Sequence, residues 1–82
     1  MPTVKDFLED EKVCNDTTIV QIKWRKKGQT TIRTTVGTFI DDRVLCFMDC
    51  FVFWVKWDYD KNVLTLATRG QPYDWVKQDC DG

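Results

Sequence analysis

The apolar positions of this chain change period along its length. Near the start, Val4, Phe7 and Leu8 follow the i, i+3, i+4 spacing of one helix face, with Thr3 ahead of them as a cap and Asp6 at the third helical position. The pattern predicts a short helix over residues 3–11 that holds only by packing on something else. Asn15 and Asp16 break it. From Thr18 the period is two: Val20, Ile22 and Trp24 alternate with Ile19, Gln21, Lys23 and Arg25, and Ile32, Thr34 and Val36 alternate with Gln29, Thr31, Arg33 and Thr35. Lys26-Lys27-Gly28 reads as a three-residue hairpin loop with Gly28 in the left-handed position. This register sets Trp24 opposite Thr30, Ile22 opposite Ile32 and Val20 opposite Thr34. One face of the hairpin is then apolar, and the other carries Lys23, Arg25 and Arg33.

Gly37 ends that strand. Thr38 is placed to cap a short helix with Phe39, Ile40 and Val44 on its apolar side, a structured loop being the other reading. A strongly apolar strand follows from Phe47 to Trp57, then a turn at Asp60-Lys61-Asn62, with Asn62 suited to left-handed backbone, and a partner strand from Val63 to Thr68. Gly70, Gln71 and Pro72 break the chain again. Tyr73 to Gln78 is read as a last helical turn or strand-like tail, and the closing Asp-Cys-Asp-Gly as frayed. The sum is an α+β fold over residues 1–82: a short N-terminal helix packed on a four-stranded antiparallel sheet made of two hairpins.

The second hairpin is richer in apolar surface than one chain this small can easily cover. Six of the eleven aromatic residues lie between Phe47 and Tyr59. Simple alternation sends Phe51, Phe53, Val55 and Trp57 to one face, and Val52 and Trp54 to the other with Leu64 and Leu66. Both faces need cover, since each large side chain left in water forgoes roughly 1.5–3 kcal/mol. The helix and the tail with Tyr73, Trp75 and Val76 supply some. A two-layer core filled by helix and tail is one reading; the other is a homodimer or partner interface anchored by Phe51, Phe53, Trp57 and Tyr59.

Charge adds a second surface. The 82 residues carry a net charge of −1, but residues 19–40 hold five basic side chains and no acid, while the segments on either side are acidic. Lys23, Arg25, Lys26, Lys27 and Arg33 therefore form a candidate basic patch on the first hairpin, able to track a phosphate backbone. A solvated sheet face with charged edge protection accounts for the same residues. Protein contact is the favoured partner class, with nucleic acid the alternative and no membrane span in view: the longest apolar run, Cys50 to Val55, ends at Lys56.

Composition removes most catalytic chemistry. There is no histidine and no serine, so a Ser-His-Asp triad, a Cys-His pair and a histidine metal site are excluded. Asp41-Asp42 and Asp58-Asp60 sit in expected turns, where aspartate serves local hydrogen bonding. No phosphate-binding glycine loop or dinucleotide fingerprint occurs. The expectation is a non-enzyme with no cofactor and no metal. Of the cysteines, Cys14, Cys46, Cys50 and Cys80, only Cys46 and Cys50 have zinc-like spacing, and no export signal precedes them; they are read as reduced, small side chains of a cytoplasmic protein. A disulfide or a bound metal are the lesser readings.

The layout resembles small accessory proteins of prophages and mobile elements in Gram-positive bacteria. The likeness lies in a short opening helix of the type Val4-Lys5-Asp6-Phe7-Leu8, a hairpin leading into Thr35-Val36-Gly37-Thr38-Phe39, and a closing hairpin like Val55 to Leu66. That resemblance implies a non-enzymatic protein acting by contact, with an inhibitor of a host defence enzyme, of the anti-CRISPR kind, as one form.

Overall fold

The computed structural model describes residues 2–26 and 28–69. In chain order the elements are α1 (Val4–Leu8), β1 (Ile19–Arg25), β2 (Ile32–Gly37), α2 (Asp42–Leu45), β3 (Phe51–Asp58) and β4 (Val63–Arg69). The fold is α+β, and the four strands form one sheet in the order β2-β1-β4-β3. Both hairpins are antiparallel, but they join through β1 and β4, which run parallel. The sheet is therefore mixed, a correction to the all-antiparallel expectation. Residues 38–50, which include α2, carry the chain from β2 at one edge to β3 at the other, and a connection of about a dozen residues is what such a crossover needs. It places the two strands with the cleanest apolar alternation at the centre: Val20, Ile22, Leu64 and Leu66 are fully buried.

Among the described residues, one face of the sheet is open and the other is covered. Val4 and Leu8 of α1, Val44 of α2 and the buried Phe47 pack on it, with Val52 and Trp24 closing the core. Trp24 stacks obliquely on Phe47, ring centroids 5.4 Å apart at 57°, and its indole N–H donates to Thr35 Oγ1 at 2.9 Å. A buried tryptophan thus keeps its polar end satisfied. The short α1 is held at its start, where free N–H groups would otherwise be left: Val4 and Lys5 donate to the carbonyls of Cys50 and Met48, each at 3.0 Å. The expected Thr3–Asp6 cap forms, the Asp6 carboxylate accepting the Thr3 backbone N–H at 2.8 Å. The helix stops at Leu8 rather than at residue 11. There the chain turns over Asp10, whose carbonyl accepts from Val13 and Cys14.

The first hairpin differs from the expected register by three residues. Trp24 lies opposite Arg33, Ile22 opposite Thr35 and Val20 opposite Gly37, and the loop runs over residues 26–31. Gly28 takes positive φ (80°) as expected, within this longer loop. An odd shift exchanges the faces of β2. Thr35 is buried next to Trp24, while Ile32 (64% exposed), Thr34 and Val36 face outward, and Arg33 sits on the core side with its guanidinium 5.8 Å from the Trp24 ring centre. This register gives the Trp24 indole N–H a buried acceptor in Thr35, where the expected one sets Thr30 of the loop opposite it. The cap of α2 is Asp41, not Thr38: its carboxylate accepts from Arg43 N at 2.9 Å. Asp41 also fills the space beside Gly37, where a β-carbon would come within 2.8 Å of its carboxylate oxygen.

Strand β3 begins at Phe51, four residues later than expected, and carries a bulge. Val52 pairs with Thr68 and Trp54 with Ala67, which leaves Phe53 as the extra residue. Beyond it Val55 lies beside Leu66 and Trp57 beside Leu64, the reverse of the expected assignment. Asn62 takes left-handed backbone (φ 56°) in the following turn, as its position predicts. The expected tail at Tyr73 to Gln78, with its Trp75 and Val76, and also Lys27, lie outside the described residues.

Candidate interaction surface

The uncovered face of the sheet can be read row by row from the strand register. Thr34, Lys23, Ala67 and Trp54 cross it in one row, on β2, β1, β4 and β3 in turn. One step further along, Ile32 and Arg25 are paired, as are Arg69 and Phe51, and the parallel register continues Arg25 toward Arg69. Basic side chains thus occupy the two central strands, with aromatic ones along β3. Phe51, Phe53 and Trp54 are 51%, 54% and 48% exposed. Small Ala67 in the first row lines an open groove of about 910 Å³ whose cations, among the described residues, are Lys23, Arg25, Lys26 and Arg69. Among the described residues no carboxylate lines it.

Local contacts order parts of this groove. The Arg69 guanidinium lies 5.4 Å from the Phe53 ring centre, a cation–π arrangement that steadies both side chains. Lys23 Nζ donates to Thr34 Oγ1 at 3.2 Å. Among the described residues neither Arg25 nor Arg69 has a carboxylate within salt-bridge distance; the ion pair formed there, Lys5 with Glu9, is on α1. Placing like charges on adjacent strands disfavours the sheet. The fold accepts that cost here.

The structure splits and regroups the residues expected to act. Phe51 and Phe53 are on the open face, but Trp57 is half-buried beside Leu64 on the other side, and Tyr59 stands in the turn, 5.3 Å from Trp57 in an edge-to-face contact. Of the basic set, Lys23, Arg25 and Lys26 reach the groove, whereas Arg33 is on the opposite face above Trp24. Two groove residues escaped sequence reasoning. Trp54 was assigned to the wrong face because alternation cannot count a bulge, and the adjacent Phe53-Trp54 pair is the one visible hint. Arg69 is far in sequence from the basic hairpin and joins it only through the parallel β1–β4 pairing.

The helical side has its own groove, about 760 Å³, floored by Leu8, Cys14, Phe39 and Met48 with Glu9 and Glu11 at its rim. Cys14 and Cys50 are reduced, buried thiols. Burial raises the Cys14 thiol above its ordinary value; burial and then the Asp49 charge push Cys50 up to about 11. Both stay protonated at neutral pH, the wrong state for a nucleophile. Cys46 departs from the reduced reading in being disulfide-bonded, and Cys80 lies outside the described residues. Among the described residues no three His, Cys, Asp or Glu side chains come together as a metal site would require, and no helix is long and apolar enough to cross a membrane.

Comparison with protein-family models, with curated proteins and with solved structures finds no match to this chain.

Proposed function

We propose that this is a non-catalytic binding protein that acts by contact, covering an anionic surface of a partner with the open face of its sheet. The observation that carries this reading is the convergence on the open face of Phe51, Phe53 and Trp54 with Lys23, Arg25 and Arg69, around a groove that no carboxylate lines among the described residues. Aromatic and arginine side chains together are the residue types that anchor interfaces, and positive charge around them steers a negative partner. Occlusion is the mechanism: a bound partner surface is one that nothing else can reach. An inhibitor of a host enzyme is the form this activity takes under the resemblance to mobile-element accessory proteins.

A surface kept for contact contributes little to the fold that bears it. Replacing Trp54 by Thr, or Arg69 by Gln, is therefore expected to leave the thermal midpoint unchanged or slightly raised, while Val20→Ala in the core lowers stability by about 1–3 kcal/mol. Calorimetry on the full chain checks this. A loss from Trp54→Thr as large as that from Val20→Ala would mean that the aromatic face holds the molecule together, and the contact reading would fail.

A further inference from the structure

We infer that the ligand of the open sheet face is a single-stranded nucleic acid, an inference that rests on the contact reading above and names its partner class. Three observations lead there. The first is chemical pairing. A nucleotide offers a phosphate on one side of its sugar and a flat base on the other, and the open face offers the complement: Arg25, Arg69 and Lys23 on the central strands, Phe51, Phe53 and Trp54 one or two strands away. Neighbouring strands are about 4.8 Å apart, so the cations and rings lie about 5–10 Å from each other. A purely acidic peptide such as polyglutamate would use the cations but brings no ring to stack on the three exposed aromatics.

The second is spacing along the strands. Phe51 and Trp54 belong to successive rows of the open face, and such rows lie roughly 6.7 Å apart. That is about twice the 3.4 Å rise of each strand in a duplex. Bases seated on successive rows are therefore unstacked from one another and stacked on the protein, which a duplex cannot offer and a single strand can. The third is the bulge. It inserts Phe53 beside Trp54 so that both consecutive side chains line the groove, and the Arg69 guanidinium rests near the Phe53 ring. The sheet departs from regular pairing where it gains a second platform ring. The net charge of −1 does not oppose this, since among the described residues no acidic side chain lines the groove.

The test uses the full chain and a fluorescently labelled oligothymidine on the order of ten nucleotides, within the site sizes of single-strand sheet surfaces. Anisotropy should show binding to the single strand and much weaker binding to a duplex of the same length. Trp54→Ala should weaken it roughly 5- to 150-fold, the loss expected for one base–aromatic stack, while Trp54→Phe retains most of it. With three phosphates neutralised, raising salt from about 50 to about 200 mM should weaken binding roughly 20-fold, and Arg25→Gln should lower the log–log slope by about 0.7. Cooperative melting of each variant confirms folding. The inference is overturned if the oligonucleotide is not bound, or if Trp54→Ala binds as well as the original chain, which would be charge attraction alone. A polyglutamate peptide separates the two levels of the argument. If it binds in a Trp54-dependent way and the oligonucleotide does not, the nucleic-acid inference falls and the contact surface stands; a structural role for Trp54 in the stability test removes both.

Discussion

At the scale of single residues, Asn62 ties the two halves of the chain together. It holds left-handed backbone, its Nδ2 donates to Thr17 Oγ1, and its Oδ1 accepts from the buried Thr18 hydroxyl, both at 3.0 Å. Its own carbonyl accepts from Ile19 N, the first residue of β1. Asn62→Ala should therefore cost about 2–4 kcal/mol, combining roughly 1–2 kcal/mol for a side chain forced into left-handed backbone with the loss of its two side-chain hydrogen bonds to Thr17 and Thr18, roughly 0.5–1.5 kcal/mol each. Asn62→Gly keeps the backbone and loses only the side-chain bonds, so about half that loss is expected. Urea midpoints at constant slope measure both, and equal losses would show that the backbone conformation is not what matters. Asn62 was legible in the sequence, as were Thr3, Asp6 and Gly28, because the physics that selects them acts within a few residues. Trp24 was recognised as apolar and inward-facing, yet the acceptor its N–H finds, Thr35, lies eleven residues away and belongs to a register that alternation alone does not distinguish.

At the scale of elements, the same divide runs between periodicity and pairing. Helix, strands and turns were legible from apolar spacing to within a few residues, whereas the face each strand shows was lost wherever one residue too many intervened. In β3 that residue is Phe53. Deleting it removes the bulge and leaves Val52 beside Thr68 and Trp54 beside Ala67, with every later residue on its present face. The deletion is expected to fold with stability within about 1 kcal/mol of the original, a modest effect for an exposed site, while losing one ring from the groove. Collapse of the cooperative melt in this variant would show that the bulge is structural. The bulge also has company. Pro2 accepts from Val52 N at 2.8 Å, so the N-terminal segment closes one end of the β3 edge, and exposed Lys56 interrupts the remainder. Three devices that discourage strand-to-strand pairing lie on one edge, which directs association toward the face of β3 and away from its side.

At the scale of the whole molecule, one crossover decides the site. Basic and aromatic residues are read from the sequence as two separate surfaces on two hairpins. They become one because β4 enters parallel to β1 and brings β3 and Arg69 with it. Hydrophobic pattern carries no record of that choice; four amphipathic strands satisfy the antiparallel and the mixed order alike. The parallel pair has a further effect, on the order in which the molecule can be made. β1 and β4 are partners at a separation of 44 residues, Val20 with Leu64 and Ile22 with Leu66. During synthesis the first hairpin is complete while the strand that buries its inner edge has yet to be joined to the chain. Val20 and Ile22 must wait for it. Refolding of the full chain is accordingly expected in milliseconds to seconds rather than microseconds, because this distant closure precedes most of the core. A fragment ending at Asn62 should show no cooperative unfolding at all, and a sharp transition from it in calorimetry would refute that dependence. A nascent chain with β1 exposed is sticky by the same apolar residues that later form its centre, so the last of these four strands to arrive is also the one that ends that exposure to aggregation.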